Sequence, residues 1–225
     1  MIQVKNIKKN YTNGNITNHV LKGIDIEIPD GQFVAIMGKS GAGKSTLLYQ
    51  MSLLDEPTEG VILIDGDDVH GLTSDEKSQY RLENLGYVFQ DYALLPELSA
   101  MENAFLPLLM KNVSTADAEK KIKEVFHSLE LSGKEDSLPS QLSGGEQQRV
   151  SIARGVAGNP RILFADEPTA NLDSVSSLAV IDTLSQLHKQ GQTIVMVTHE
   201  REYAQYAERI LYMEDGLITK DEMVK

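Results

Sequence analysis

Nothing constrains the fold of this chain as sharply as Gly38-Lys39-Ser40-Gly41-Ala42-Gly43-Lys44-Ser45-Thr46, which follows the apolar run Phe33-Val34-Ala35-Ile36-Met37 and precedes Leu47-Leu48. That order predicts a strand, a glycine turn and a helix start. It fits the pattern Gly-x4-Gly-Lys-[Ser/Thr], in which small residues let backbone N–H groups close around a phosphate seated on the helix N-terminus. Lys44 would hold the β- and γ-phosphates and Ser45 a Mg²⁺.

Strand and helix patterns alternate along the rest of the chain. Residues 2–7 and 21–28 read as strands, the second with Ile24, Ile26 and Ile28 alternating with Asp25 and Glu27. A polar loop is predicted over residues 10–15, with its turn at Asn13-Gly14. Residues 61–64 add an antiparallel strand in a flanking sheet, residues 74–83 a short polar helix, and residues 85–89 a strand that ends at Gln90. From about 91 to 157 the chain reads as a mainly helical insertion. It holds a helix over 100–110 despite Pro107, and an amphipathic one with Ala118, Ile122, Val125, Phe126 and Leu129 on its apolar face, capped by Ser114 or Thr115. The core resumes with a helix from Ser143, a strand over 162–165, a helix bearing Val180, Leu184 and Leu187, a strand over 193–198 and a hairpin at Asp215-Gly216. Such alternation implies an α/β fold, a parallel sheet with helices on its faces.

Composition removes several function classes. With 41% hydrophobic and 24% charged residues, the 225-residue chain is ordinary for a globular protein, and no apolar run approaches the roughly 18 residues of a membrane span. The first residues, Met1-Ile2-Gln3-Val4-Lys5, lack the apolar core of a secretory signal, so a cytoplasmic location is expected. Cysteine is absent, which rules out disulfides, thiolate metal sites and thiol nucleophiles. A net charge of −12 argues against broad nucleic-acid binding, which needs Lys and Arg against phosphates.

Further residues carry chemistry beside the glycine turn. Asp166 and Glu167 follow the strand over 162–165 directly, and Pro168 stops it. Neighbours on a strand point to opposite sides, so Asp166 is assigned to Mg²⁺ and Glu167 to an attacking water. In Leu142-Ser143-Gly144-Gly145-Glu146-Gln147-Gln148-Arg149, Ser143 and Glu146 form a capping box that by itself explains a helix start. The adjacent glycines go beyond a cap and favour close approach to the backbone, as by a second phosphate-sized anion. His199 ends the strand over 193–198, at the sheet edge that binds ligands, and reads as catalytic or as a hydrogen-bonded structural residue. Gln90 could be a turn residue, and Tyr11 either a packing aromatic or a platform for a flat base.

Taken together, residues 38–46, Gln90, residues 142–149 and 162–167, Asn171-Leu172-Asp173 and His199 occur in the order seen in ATP-binding cassette (ABC) ATPases. The chain resembles one such nucleotide-binding domain over essentially its full length. The resemblance implies a P-loop NTPase core over 1–90 and 158–225 with an antiparallel β-subdomain, and a helical subdomain over about 91–157. It implies ATP and Mg²⁺: Tyr11 stacks on adenine, the backbone of Gly38, Lys39, Ser40, Gly41, Ala42, Gly43 and Thr46 with Lys44 holds phosphates, and Ser45, Gln90 and Asp166 complete the Mg²⁺ site. Glu167 polarises water and His199 bonds the γ-phosphate. Two cassettes face head to tail, so that Ser143, Gly144 and Gly145 meet the γ-phosphate bound by the other copy. Residues 89–103 and 167–174 are similar to the lipoprotein-release, macrolide-export and cell-division group, whose partners are separate integral membrane permeases. Residues 91–103 would meet such a permease, placing the protein on the inner face of the membrane. Two departures are visible: Gly155 lies inside the predicted signature helix, where it bears on rigidity, and Glu200 stands where Asp is commoner.

Overall fold

The computed structural model describes residues 1–14 and 16–224. In chain order its elements are β1 (Ile2–Asn13), β2 (Ile16–Ile28), β3 (Phe33–Met37), α1 (Lys44–Met51), β4 (Glu59–Ile64), β5 (Asp67–Asp68), α2 (Ser74–Asn84) and β6 (Leu85–Val88). They continue with α3 (Ala100–Met110), α4 (Thr115–Ser128), α5 (Gly144–Ala157), β7 (Ile162–Asp166), α6 (Ser174–Lys189), β8 (Thr193–Thr198), α7 (Arg201–Ala204), β9 (Arg209–Glu214) and β10 (Leu217–Met223). Two sheets form, an antiparallel one in the order β2-β1-β4-β5 and a six-stranded one in the order β10-β9-β3-β8-β7-β6. In the larger sheet β9, β3, β8, β7 and β6 run parallel and β10 closes one edge antiparallel.

The period of two in β3 divides the core. Val34 and Ile36 join Leu47, Leu48 and Met51 of α1 and the isoleucines of β1 and β2, whereas Phe33 and Ala35 join the apolar residues of α3, α4, α5 and α6. Both faces are covered, which explains why the parallel strands read as unbroken apolar runs. Each large side chain buried this way stabilises by about 1.5–3 kcal/mol.

Helix starts follow the sequence closely. Ser114 caps α4, and Ser99 and Ser143 cap α3 and α5 in full capping boxes closed by Glu102 and Glu146. Helix α3, which contains Pro107, keeps its last turn, with the Lys111 N–H donating to the Pro107 carbonyl at 3.2 Å.

Two expectations change. The loop predicted over 10–15 is instead the far end of a hairpin: β1 and β2 stay paired through Asn10↔His19, Tyr11↔Asn18 and Thr12↔Thr17. Side chains reinforce the ladder, Asn10 Oδ1 meeting His19 Nδ1 at 2.7 Å and Thr12 meeting Thr17 at 3.3 Å. This ribbon is solvated on both faces, so no apolar alternation marks it. The turn begins at Asn13-Gly14 as predicted, while Asn15, the last residue of the predicted loop, lies outside the described residues. The second concerns Gly155, which the structure places in a close contact between helix and sheet. Helix α5 runs through it and packs on β6, where a Cβ on Gly86 would overlap the Gly155 carbonyl oxygen and come within 3.0 Å of Pro160. The two glycines are a contact between helix and sheet.

Gly86→Ala is accordingly expected to destabilise the fold by about 2–3 kcal/mol, typical of overpacking against rigid backbone. Gly155→Ala is tight only against the Leu163 side chain at 3.1 Å, meets the Tyr87 carbonyl and Val88 at an ordinary 3.5 Å, and gains about 1 kcal/mol of helix propensity, so its net effect should stay small. Urea titration of both variants checks the asymmetry; equal losses would show that the helix–sheet contact is not what selects Gly86.

Candidate active site

Strand register decides which residues meet. Met37 of β3 pairs with Thr198 of β8, and Val197 of β8 with Asp166 of β7. The residues that follow these strands, Gly38, His199 and Glu167, therefore emerge together at the C-terminal edge of the sheet, where α/β folds bind ligands.

The loop after β3 turns into α1 through Gly43, whose φ of 98° is a left-handed conformation that a side chain would strain. No side chain caps α1, so its first N–H groups face the loop, as an anion site requires. Lys44, the first helical residue, is 5% exposed. Its Nζ lies 3.2 Å from the Lys39 carbonyl and 3.5 Å from Glu167 Oε1, both long contacts for an ammonium group with three donors. Lys39, Ser40, Glu167 and His199, with Met37 and Gly38, line a cavity of about 560 Å³.

The two carboxylates at the end of β7, Asp166 its last residue and Glu167 the next, part as strand alternation requires. Asp166 turns inward and is 4% exposed, accepting from Ser45 Oγ at 2.9 Å and from the Tyr87 hydroxyl at 3.4 Å. Burial raises its pKa, with the adjacent Glu167 charge adding to the shift, against hydrogen bonds from Ser45, Tyr49 and Tyr87 that lower it. Burial first, and the Asp166 charge second, push Tyr49 and Tyr87 up, so both remain donors. Glu167 turns to the cavity: Oε1 faces Lys44, and Oε2 meets His199 Nδ1 at 2.9 Å. Its φ of 42° is strained for a non-glycine residue, and its N–H is fixed to the Val197 carbonyl at 3.0 Å.

Ser45 and Asp166 fit a divalent cation. A buried carboxylate with a raised pKa, joined to a hydroxyl oxygen, lacks countercharge, and Mg²⁺ takes few protein ligands because substrate phosphates and water supply the rest. In keeping with that, no group of three His, Cys, Asp or Glu forms a metal cage among the described residues.

The other predicted residues lie apart from this cluster. Gln90 is in the turn after β6 with its side chain exposed, bonding neither Ser45 nor Asp166. Tyr11 stands on the β1–β2 ribbon, 44% exposed, its hydroxyl donating to Asp55 at 2.7 Å and its ring 4.8 Å from Lys9 Nζ. Burial and the Asp55 hydrogen bond push its pKa up to about 12. Ser143, Gly144 and Gly145 open α5, which packs on α3, α4, α6 and β6, whereas α1 packs on β2, β7 and β8. What comes close to their backbone within the chain is protein: a Cβ on Gly144 would lie 3.0 Å from Leu172 and from the Tyr92 hydroxyl, and one on Gly145 2.9 Å from Ser176. Sequence reasoning missed Tyr49 and Tyr87. Tyr49 lies four residues after Ser45, one helical turn on the same face, which was the available signal; the approach of Tyr87 depends on β6–β7 pairing and had none.

The chain is similar to known proteins over nearly its whole length. The family model described as ABC transporter matches residues 21–170. The chain is 45% identical to the macrolide export ATP-binding/permease protein MacB of Campylobacter fetus subsp. fetus, over 98% of this chain and 34% of that protein. It thus spans about a third of the length of the macrolide export relatives it matches. It is 41% identical to the uncharacterized ABC transporter ATP-binding protein MJ0796 of Methanocaldococcus jannaschii, covering 98% of that protein. Among solved structures it is similar to the dimeric post-hydrolysis state of the ATP-binding cassette MJ0796 bound to ADP and Pi, with a TM-score of 0.93 at 40% identity over 100% of this chain and 99% of that one. A phosphate loop at the sheet edge beside a strained carboxylate defines a nucleotide-hydrolysing α/β protein of the P-loop class. The chain belongs to the ABC transporter family, as one of its ATPase cassettes.

Lys44→Ala should weaken ATP binding by about tenfold or more, the loss of charge-assisted bonds to phosphate oxygens. Titration calorimetry reads this directly; unchanged affinity would remove Lys44 from the phosphate site.

Proposed function

We propose that the chain is the ATP-hydrolysing subunit of a transporter or mechanotransmission complex, driving a separate membrane permease through ATP-dependent dimerisation. The observation that carries this reading is the Lys44–Glu167–His199 cluster at the cavity, with both oxygens of one strained carboxylate engaged. Glu167 is the general base that orients the attacking water, and His199, on its other oxygen, holds the base and reaches the γ-phosphate. Such a base contributes on the order of 10²- to 10⁴-fold in rate. Ser45 and Asp166, with Gln90, would hold Mg²⁺, which when bound neutralises phosphate charge. Lys44 and the backbone of residues 38–46 hold the phosphates, and Tyr11 stacks on adenine.

Ser143, Gly144 and Gly145 complete the site of a second copy. That both chains supply essential groups accords with their place on α5, away from α1. The dimeric MJ0796 structures support the pairing of two cassettes. We read residues 1–90 and 158–225 as the α/β core with its antiparallel β-subdomain, and about 91–157 as a helical subdomain. Residues 91–103 meet the permease, which holds the cassette at the inner face of the membrane. No described helix is long and apolar enough to cross a membrane.

Glu167→Gln tests the base and the dimer together. Gln keeps the size of Glu without accepting a proton, so hydrolysis should fall by about 10²- to 10⁴-fold while ATP binding survives. The variant should run as a dimer with ATP and Mg²⁺ and as a monomer with ADP, measured by light scattering during gel filtration. A normal hydrolysis rate would show that Glu167 is not the base, and a monomer at saturating ATP would overturn the ATP-dependent dimer.

A composite site also predicts complementation. Ser143→Arg should bind ATP yet not hydrolyse it, and mixing it with Lys44→Ala protein should restore activity, because one site then keeps both intact halves. No recovery in a demonstrated heterodimer would place Ser143 outside the partner's site.

A further inference from the structure

The turn after β6 is gripped by side chains from distant parts of the chain. Gln148 Nε2, on α5 and fully buried, donates to the Phe89 carbonyl at 3.3 Å. Asn171 Nδ2 donates to the Gln90 carbonyl at 3.3 Å and to Asp91 Oδ1 at 3.0 Å. Arg154, also on α5, donates through Nη2 to the Tyr92 carbonyl at 2.8 Å and through Nη1 to the Ala93 carbonyl at 2.6 Å.

Strain and charge single out the last of these. Tyr92 and Ala93 have φ values of 59° and 51°, successive left-handed residues without being glycines. That conformation costs about 1–2 kcal/mol per residue and persists only where surrounding contacts over-determine it. Among the described residues no carboxylate lies within ion-pair distance of Arg154, and burial alone lowers its pKa. A cation desolvated against neutral carbonyls is poorly explained by solubility or by ion pairing. Its planar fork, which matches two oxygens at once, does explain it, and lysine has no such fork. Beyond the fork, the Tyr92 hydroxyl reaches the Asn171 carbonyl at 3.5 Å and lies against Gly144.

We propose that Arg154 is a positioning residue for hydrolysis: its guanidinium ties the Gln90 turn to α5, so that Gln90, Tyr92 and the glycines at the start of the helix hold one mutual arrangement. Arg154 follows Ser143 by about 16 Å of helix, so a pull on residues 92–93 is delivered to the other end of α5. This inference rests on the composite dimeric site proposed above, and it makes one side chain the link between the permease-facing segment and the part of the cassette that meets the second nucleotide.

The absence of Trp from the chain allows a direct test. Leu95→Trp, at a half-exposed position just beyond the turn, places a single indole there, read by anisotropy decay and acrylamide quenching in the nucleotide-free protein. Adding Arg154→Met should give faster local motion and stronger quenching, and Arg154→Lys, which keeps charge without the fork, should restore the turn only partly. In the Glu167→Gln background, Arg154→Met should raise the dimer dissociation constant with ATP by about tenfold, while monomer affinity for ATP changes little. Unchanged quenching in both Arg154 variants overturns the proposal, as does an equal loss of ATP affinity and dimerisation. Should Arg154→Met lose its cooperative urea transition, Arg154→Lys carries the same comparison. If Glu167→Gln with Arg154 intact fails to dimerise, the composite site is wrong, and the indole measurements alone decide whether Arg154 holds the turn.

Discussion

The active site depends on the register of three parallel strands. With Met37 opposite Thr198 and Val197 opposite Asp166, the chain leaves β3, β7 and β8 at one level of the sheet. A slip of one residue would exchange the faces of every side chain on the strand. It would send Asp166 toward the cavity and Glu167 toward Ser45, and it would put Val34 and Ile36 where Phe33 and Ala35 belong. The same apolar alternation that divides the core thus also fixes which carboxylate turns to Ser45 and which turns to the cavity. Gly86 belongs to this constraint, since its missing side chain lets α5 lie on β6 and keeps the turn after β6 within reach of that helix.

Charge then sets how the site is held before substrate arrives. Two carboxylates are adjacent in sequence and only one is exposed to the cavity. Glu167 is balanced by Lys44 on one oxygen and His199 on the other, while Asp166 is stabilised by hydroxyl donors without a countercharge of its own. In the function proposed, triphosphate would compete with Glu167 for Lys44, and a divalent cation held by Ser45 and Asp166 would supply the countercharge that Asp166 lacks. Both changes would favour the charged ligand, as a chain of net charge −12 requires if it is to take a polyanion.

Much of this was legible in the sequence, because the informative signals are local. Residues 38–46, the capping box at Ser143, the apolar strands and the acidic pair at residues 166 and 167 each announce themselves within a few positions, and the structure has each in the element expected. What escaped depends on pairing across the fold. The β1–β2 ribbon around Tyr11 is polar on both faces and leaves no periodic trace. Tyr87 becomes a donor to Asp166 only through the β6–β7 pairing, and the left-handed turn at Tyr92 and Ala93 contains no glycine to signal it. The adjacent glycines at the start of α5 were legible as a site of close approach, though nothing in the sequence shows that Leu172, Tyr92 and Ser176 of the same chain approach them.

The hydrogen bonds at the N-terminus of α5 show that a helix cap there is compatible with the role proposed for it toward a second copy's nucleotide. Of the donors at the helix start, the Ser143 N–H is taken by Glu146 Oε2 at 2.8 Å, and the Glu146 N–H returns to Ser143 Oγ at 3.3 Å. The Glu146 carboxylate is held at a pKa of about 2, first by Lys134 and then by that Ser143 N–H. It therefore stays ionised and complements the positive end of the helix dipole. Ser143 Oγ accepts in this box, so its own proton is left to donate outward, and the N–H groups of Gly144 and Gly145 belong to the unpaired first turn of the helix. The capping box thus orients the hydroxyl instead of competing for it. A structural cap and the anion site proposed here are compatible, because one uses the lone pair of the serine oxygen and the other would use its proton.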